Sequence, residues 1–362
     1  MAKASKLAKT ALRGCLFIGD PHVEGRSPDF RSDDFPETIL KKIEWCLQHA
    51  AKEKLLPVFL GDIFDKPRDN PTWMMGKLIE MLRDTGAIGI YGNHDCAEPT
   101  LTENDSLMLL LKSGCLQLVS AERPWVGTIS GRSVLIGGSS YREPIPESVP
   151  LSDFQQTGSR RSESVKSNVQ TSLFGDEEPE SDKGAKSESK SKAETKSKTN
   201  VLGIWLTHHD LAIGDYEGAK FGPFPIENIS LVVNGHIHKR SEPVKRGKTT
   251  WWNPGNISRR SRSEKCRVQE PAVLELVVDK KSFRTKYVVV PHEPFDQVFH
   301  EAIYDGEEQD GASAFVAGLS ELRQRKTSSG AGLIAFLKKN LDQFSDEVGD
   351  EIMSLANEVT TG

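Results

Sequence analysis

The chain has 362 residues and a formal net charge of −5, which excludes a mini-protein or a short binding peptide and argues against a globally cationic nucleic-acid binder. Hydrophobic residues make up 36% of it, a low share for a compact enzyme that indicates a globular part diluted by a polar segment. No apolar stretch reaches the roughly 18 to 20 residues that span a bilayer, and the five cysteines lack Cys-x-x-Cys spacing, so we expect a cytoplasmic protein without disulfides or a thiolate zinc site.

Short apolar runs alternate with amphipathic stretches from residue 14 to residue 290. The apolar runs have the length and composition of buried strands, and they occur at 15–18, 58–60, 88–91, 134–136, 201–206 and 231–233. Apolar residues recur at helical spacing over 39–50 and 74–82. The alternation predicts an α/β core, and the runs 273–278 and 283–290 predict a hairpin that follows it.

Composition divides the chain into five segments. We predict an N-terminal tail over 1–13, a first part of the core over 14–154, a disordered insertion over 155–200, a second part of the core over 201–295 and an acidic helical extension over 296–362. The insertion has ten Ser and seven Lys residues and few large apolar side chains, so it cannot bury enough surface to offset its ordering entropy. Apolar spacings of three and four predict an amphipathic helix in the extension, which either packs on the core or docks a partner.

Five short signatures rich in Asp, Asn and His follow predicted strands. In chain order they are Asp20-x-His22, Gly61-Asp62-x-x-Asp65, Gly92-Asn93-His94-Asp95, His208-His209 and Gly235-His236-x-His238. Loops at the carboxyl ends of strands converge on one crevice in α/β sheets, so these residues are expected to meet there. Imidazoles and carboxylates suit Mn, Fe, Zn or Ni. Asp62 is the candidate bridge between two ions about 3.5 to 4 Å apart, an arrangement that serves phosphoryl hydrolysis.

Together the signatures resemble the motif set of the calcineurin-like metallophosphoesterases, over roughly residues 14–258 without the insertion. The resemblance implies a four-layer α-β-β-α sandwich with a dinuclear site, for which Mn is the expected metal and Fe, Zn, Ni or Mg are alternatives. The residues that it assigns to the metals are Asp20, His22, Asp62 and His238 for one ion and Asp62, Asn93, His208 and His236 for the other.

The resemblance also implies roles for two further residues, and one ligand has an alternative. His94 would contact the scissile phosphate and help the leaving group depart, and Asp95 would orient His94. Of the adjacent pair His208 and His209, one is expected to bind metal because neighbouring side chains of an extended segment point to opposite sides. His208 is preferred because it directly follows the apolar strand.

Within the family, the chain is most similar to SbcD-type nucleases of double-strand-break repair, which implies DNA as substrate and a coiled-coil ATPase as partner. The similarity lies in 61–65, in the long spacing between the first two signatures and in 253–257. Residues 239–267 contain ten Lys and Arg residues against two Glu, a local net charge of +8 that suits a phosphate backbone. The candidate DNA contacts are Lys239, Arg240, Arg259, Arg260 and Arg262, and the alternative is a solvated surface loop.

A pentapeptide in the insertion, Gln170-Thr171-Ser172-Leu173-Phe174, resembles the bacterial sliding-clamp-binding motif at four of five positions. An apolar pair in a polar segment has no core to serve, whereas a short recognition motif needs accessibility. Gln170, Leu173 and Phe174 are therefore candidate clamp contacts, and the alternative is an incidental apolar spot.

These observations predict a Mn-dependent DNA exo- or endonuclease that acts in repair, recombination or replication. Its expected partners are DNA, a bacterial-type sliding clamp and an ATPase subunit, with no membrane. A phosphoesterase for a small molecule or a phosphoprotein is one alternative. A non-catalytic scaffold that recruits partners is the other, and the complete ligand set argues against it.

Overall fold

A computed structural model describes residues 11–150 and 201–300, apart from Asp29, Asp215, Glu217 and Ser263, together with six helical positions further on. The chain divides into two compact units, residues 1–300 and 301–362. In the second unit the described positions are Leu337, Val348, Gly349, Ile352, Met353 and Ala356. The insertion and its clamp-like residues Gln170, Leu173 and Phe174 lie outside the described residues, so clamp binding stays a prediction.

The described residues of the first unit form twelve strands and five helices. In chain order the strands are β1 (Gly14–Ile18), β2 (Leu55–Phe59), β3 (Ile88–Gly89), β4 (Gln117–Leu118), β5 (Trp125–Ile129), β6 (Arg132–Ser139), β7 (Leu202–Thr207), β8 (Leu231–Asn234), β9 (Ser241–Arg246), β10 (Thr249–Asn253), β11 (Ala272–Val278) and β12 (Phe283–Val289). The helices are α1 (Phe35–Glu53), α2 (Thr72–Leu82), α3 (Ser106–Lys112), α4 (Glu264–Arg267) and α5 (Phe295–Val298).

The strands form two mixed sheets of six strands each. The first has the order β12-β11-β1-β2-β3-β4, in which β1 to β4 pair in parallel and β11 pairs antiparallel with both β1 and β12. The second has the order β5-β6-β7-β8-β10-β9, in which β6, β7, β8 and β10 pair in parallel. The predicted α/β sandwich is therefore confirmed, as is the hairpin of β11 and β12.

Apolar side chains alternate between the two faces of the central strands and so build two layers of core. On the outer face of the first sheet, Leu16 and Phe59 pack with Ile39 of α1 and with side chains of α2 and α3. Between the sheets, Val58 packs in the same cluster as Ile204 of β7. Helix α1 begins where the Asp34 carboxylate accepts a hydrogen bond from the Glu37 amide, and it ends at Lys54 in the left-handed region.

The outer face of the second sheet carries a third apolar cluster. Trp205 and Trp251 are buried there against Leu211 and Ile226, which belong to irregular segments; among the described residues, no helix covers this face. The indole of Trp251 donates to the Phe224 carbonyl at 2.8 Å, so Trp251 is a core residue. Among the helices of the described residues, none combines the length and apolar character that crossing a bilayer requires.

We predict that Lys42, a buried cation of α1, makes stability depend on pH. Its Nζ donates to the Ile257 carbonyl at 2.8 Å, and burial, with Arg259 and Arg31 nearby, lowers its pKa from 10.5 to about 7. Because the pKa is lower in the folded chain, the unfolded chain binds more protons between these two values, and the contribution of Lys42 to stability rises with pH across that window.

Lys42→Met is expected to lower the slope of the unfolding free energy against pH by up to about 1.4 kcal/mol per pH unit between about pH 7.5 and 9.5. Urea unfolding at several pH values measures this slope. The exposed neighbour on the same helix supplies the control, since Lys41→Met is expected to leave the slope as it is in the wild type. A wild-type slope in Lys42→Met would contradict the prediction.

Candidate metal centre

Seven predicted ligands that follow five strand ends come together at one edge of the sandwich. Asp20 and His22 follow β1, Asp62 follows β2, Asn93 follows β3, His208 follows β7, and His236 and His238 follow β8. Their donor atoms form overlapping groups, one of Asp62, His208 and His236 and one of His22, Asp62 and His238, each with its atoms within 4.8 Å of one another. Asp62 belongs to both groups, as a bridging ligand would.

The backbone is strained at four of these seven residues. Asp20, His22, Asp62 and His236 have φ values of 37°, 48°, 47° and 73°. Residues other than glycine rarely adopt this left-handed region, which costs about 1 to 3 kcal/mol per residue, and such strain concentrates where function requires it. Backbone hydrogen bonds hold the turns, for example from the His22 amide to the Asp62 carbonyl at 2.9 Å.

His208 presents its Nε2 to a cluster of oxygens. Its Nδ1 lies 2.7 Å from the Leu60 carbonyl, which can only accept, so Nδ1 carries a hydrogen and Nε2 is the atom that faces the cluster. That Nε2 lies 3.2 Å from Asp62 Oδ2 and 3.3 Å from Asn93 Oδ1. Although burial opposes it, Asp62 raises the pKa of His208 to about 9, so the proton that Nε2 holds in the absence of an ion occupies the place that a metal ion would take.

The second group also brings possible ligand nitrogens close together. The Nε2 atoms of His22 and His238 are 2.9 Å apart, and His22 Nε2 is 3.8 Å from Asp62 Oδ2. Two imidazoles on one ion adopt about this nitrogen spacing, because metal–nitrogen bonds are about 2.0 to 2.1 Å long. Asp20 Oδ2 and His22 Nδ1 are buried without a hydrogen-bond partner. Buried polar atoms of this kind are rare, and Asp20 Oδ2 in particular fits a metal ligand.

Electrostatics agree with this assignment. Burial raises the pKa of Asp20, which is fully enclosed. Burial acts in the same direction on Asp62, but the neighbouring His208 and His94 outweigh it and hold the pKa of Asp62 well below its usual range. A cation beside these carboxylates would favour their charged forms.

His94 lies at the accessible side of the cluster, with 25% of its side chain exposed. Its Nδ1 is 2.8 Å from the backbone carbonyl of Asp65. Asp95 does not hydrogen-bond the His94 ring in the described structure, in contrast to the orienting role that the sequence suggested. The Asp95 carboxylate instead accepts hydrogen bonds from the amides of Phe64 at 3.0 Å and Gly92 at 2.9 Å, and so joins the loops after β2 and β3. The His94 ring is oriented by the Asp65 carbonyl.

The neighbouring histidine has a structural environment. His209 Nε2 lies 2.8 Å from the Glu143 carbonyl and its Nδ1 accepts from the His208 amide, so both ring nitrogens are engaged away from the cluster. Burial lowers its pKa to about 4. Of the two candidates, the structure therefore places His208 in the centre.

The predicted DNA contacts separate into different environments. Lys239 is exposed and Arg240 is half-buried, with its guanidinium 5.0 Å from the Tyr287 ring centroid. Arg262 lies over Phe30, with 5.8 Å between the guanidinium and the ring centroid. Arg260 bonds Asp65 and Glu24, and its Nε is buried without a partner.

The expectation that Arg259 contacts DNA is wrong. Only 4% of this residue is exposed, and its guanidinium donates to the Glu293 carbonyl at 2.7 Å, so it stabilises the packing of the chain after β12. The hairpin of β9 and β10 also divides the basic stretch. Its tip, with Lys245 and Arg246, lies at the end of the sheet where β8 begins, whereas the metal ligands lie where β8 ends.

Two functional candidates escaped the sequence analysis. Asp210 accepts from the ring of His236 at 2.7 Å, and the Tyr141 ring lies 5.9 Å from that of His236, between centroids. Neither belongs to a spaced signature. Asp210 stands directly after the two adjacent histidines, which is the one signal that could have drawn attention to it.

A family model described as calcineurin-like phosphoesterase matches residues 15–240, a range that contains all seven predicted ligands. No curated protein matches the chain. Among solved structures, a hypothetical protein from Thermus thermophilus shares 14% identity over 77% of this chain and 100% of its own, with a TM-score of 0.39. A conserved uncharacterized protein from Streptococcus pneumoniae, described as a predicted phosphoesterase, shares 11% identity over 78% of this chain and 93% of its own, with a TM-score of 0.30.

A 5'-nucleotidase precursor, also from Thermus thermophilus, shares 12% identity over 78% of this chain and 55% of its own, with a TM-score of 0.40. Similarities at this level carry no inference about substrate. The family match and the clustered ligands are the findings on which the functional interpretation depends.

Gly92 is predicted to be indispensable for the metal centre. A Cβ at this position would lie 2.1 Å from Asp62 Oδ1 and 2.6 Å from His208 Nε2, so Gly92→Ala must displace two ligands. We expect metal-dependent hydrolysis of a model phosphoester to fall by about 100-fold, because displacements near 1 Å cost this much. Turnover of bis(p-nitrophenyl) phosphate measures the loss.

Gly76 provides a matched control in α2. Nothing lies within 4 Å of the Cβ that an alanine would add there. Gly76→Ala is expected to keep full activity and to raise the unfolding free energy by about 0.5 to 1 kcal/mol, because glycine is a poor helix former. Full activity in Gly92→Ala would show that Asp62 and His208 are not used in catalysis.

Proposed function

The chain belongs to the calcineurin-like phosphoesterase family, and we propose that it is a metal-dependent phosphodiesterase that cleaves DNA, as an exo- or endonuclease with Mn as its metal. The observation that supports DNA as the substrate is that positively charged side chains adjoin the metal cluster. Lys239 and Arg240 directly follow the ligand His238, and both His238 and Lys239 are exposed. An open site with positive charge at its rim suits a polymer of phosphodiesters.

When bound, a pair of divalent ions at such a site activates water and neutralises charge on the phosphoryl oxygens. The chain contributes the geometry. Asp62 is fixed by the His94 amide, which donates to its Oδ1 at 2.8 Å, and its Oδ2 faces both ligand groups. The site is therefore positioned by backbone groups and does not have to be assembled when substrate arrives.

His94 is the side chain best placed to act on the ester. Its Nδ1 donates to the Asp65 carbonyl, so Nε2 is left for the substrate. The ring meets His22 edge-on, with centroids 4.8 Å apart, which places it directly beside a metal ligand. A protonated Nε2 at this position can donate to a phosphoryl oxygen or to the leaving group.

Arg260 supports His94 and brings positive charge to the same place. Its guanidinium binds both Asp65, whose backbone carbonyl orients His94, and Glu24 on the loop after β1. Both carboxylates partly neutralise it, and 17% of the side chain is exposed. Arg260 is therefore proposed to position His94 through Asp65, while its remaining positive charge attracts phosphate.

One pair of cationic and aromatic side chains can hold a nucleotide. Arg262 lies over Phe30, of which 52% is exposed. An exposed ring beside a guanidinium offers a stacking surface together with a charge for the backbone, as proteins that bind single strands commonly use. Tyr287 beside Arg240 is not equivalent, because its hydroxyl donates to backbone carbonyls and its ring packs against Trp252. The pair of Arg262 and Phe30 favours DNA over a mononucleotide, which would fill only the centre.

The decisive experiment compares DNA with a small ester. With Mn, the wild type is expected to cleave labelled single- or double-stranded DNA and to hydrolyse bis(p-nitrophenyl) phosphate. In His94→Ala, both rates are expected to fall by a factor of about 10² to 10⁴, as when an acid catalyst is removed, while metal binding is retained. Turnover of the small ester without cleavage of either DNA would overturn the proposal and identify a phosphoesterase of small substrates.

The cationic rim is tested by charge removal at the two ends of the basic stretch. Lys239→Gln combined with Arg240→Gln is expected to raise KM for DNA and to reduce the slope of log K against log salt by about 2, while affecting the small ester less. Lys245→Gln combined with Arg246→Gln removes the same charge at the far end of the sheet and should leave DNA cleavage unchanged. Equal effects of the two pairs would indicate that charge acts without regard to position.

A further inference from the structure

Asp210 is a buried carboxylate that the proposed chemistry leaves without a role. Only 13% of its side chain is exposed. Its Oδ1 accepts from His236 Nε2 at 2.7 Å and from the Tyr216 hydroxyl at 2.8 Å, and its Oδ2 is 2.7 Å from Lys220 Nζ. Both carboxylate oxygens therefore have partners. Of these partners, the His236 ring is the one whose orientation the carboxylate fixes most strongly.

The contact with Asp210 determines which nitrogen of His236 carries the hydrogen. A carboxylate accepts, so the hydrogen lies on Nε2 and the lone pair lies on Nδ1. Nδ1 is 2.9 Å from Asn93 Oδ1, which is the side where the ion is expected. The opposite tautomer would set a lone pair against an anion and remove a donor atom from the metal.

The two histidines of this ion are supported in different ways. His208 Nδ1 donates to the Leu60 carbonyl, a neutral acceptor, at 2.7 Å, and the Asp20 carboxylate lies beyond hydrogen-bond distance from it at 3.6 Å, whereas His236 Nε2 donates directly to the Asp210 carboxylate at 2.7 Å. A carboxylate behind an imidazole raises the basicity of its metal-binding nitrogen more than a carbonyl does. His236 should therefore be the stronger donor of the pair.

We propose that Asp210 is a positioning residue for the metal centre, which fixes the tautomer of His236 and strengthens the binding of one of the two ions. The proposal rests on the metal centre of the proposed function but not on DNA as the substrate. It assigns Asp210 to the ion held by Asn93, His208 and His236, and it leaves the ion held by His22 and His238 unaffected.

The segment around Asp210 is built to hold this orientation. The Lys220 amide donates to the Asp210 carbonyl at 2.9 Å, and Leu211 and Phe221 form a parallel bridge. Lys220 has 71% of its side chain exposed, so its ion pair with Asp210 contributes little. The orientation of His236 therefore depends on Asp210, whereas Lys220 contributes little to it.

The test measures Mn binding without substrate, by calorimetry or by electron paramagnetic resonance of the free ion. Asp210→Ala is expected to weaken one of two Mn sites by about 10- to 100-fold and to leave the other constant unchanged. Asp210→Asn keeps an acceptor without the charge and should fall between the wild type and Asp210→Ala. Lys220→Met should change either constant by at most about 5-fold.

The exposed Asp84→Asn variant serves as a control, and thermal unfolding in EDTA establishes that each variant folds. If Asp210→Ala does not fold, Asp210→Asn carries the comparison. Unchanged Mn constants in the folded variants, or an equal loss at both sites, would overturn the proposal, because a purely structural role cannot select one ion. DNA cleavage does not enter the measurement, so failure of the nuclease proposal would be seen separately.

Discussion

The carboxylate of Asp62 joins the two sheets at the point where their strand ends meet. It follows β2 of the first sheet, yet its Oδ2 lies 3.2 Å from the Nε2 of His208, which follows β7 of the second. The parallel pairing of β1, β2 and β3, and of β7 and β8, brings every other ligand to the same edge. The position of one side chain therefore depends on the register of both sheets, and the centre exists only if they pack correctly.

This arrangement is costly, and the fold offsets the cost locally. Strained backbone at Asp20, His22, Asp62 and His236 and fully buried carboxylates would each favour a looser structure. Amides supply the compensation: the His236 amide donates to Asp20, the His94 amide to Asp62, and two amides to Asp95. The residues that serve the chemistry therefore reduce the stability of the fold. Burial of the apolar layers supplies the free energy that offsets this loss.

Patterns of apolar residues were sufficient to predict the core strands, since β1, β2, β7 and β8 are buried on both faces and leave long apolar runs in the sequence. Of the four edge strands, β12 was predicted as part of the hairpin with β11, whereas β4, β5 and β9 escaped the analysis. β9 is a polar strand with an internal Pro243, and β5 contains Gly127, so neither has the composition of a buried strand. Apolar patterns reveal buried strands, and these edge strands are only partly buried.

The ligands could be predicted because each signature stands at a strand end, where topology alone brings residues together. Residues whose role depends on a side-chain contact could not be separated in this way. Arg259 and Arg260 are adjacent and chemically identical, but one donates to a carbonyl in the interior and the other reaches the cluster. Asp210 likewise acquires its role from a ring 26 positions away in sequence.

Each predicted ion draws its ligands from both layers: His238 joins Asp20 and His22 for one, and His208 and His236 join Asn93 for the other. A bound ion is then a cross-link between the sheets, in the manner of a disulfide that opens and closes with metal concentration. Because an ion that binds only the folded chain stabilises it by about 2.7 kcal/mol at a hundredfold excess over Kd, chelation loosens the sandwich as well as stopping its chemistry. The stability of the folded protein is therefore expected to rise with metal supply.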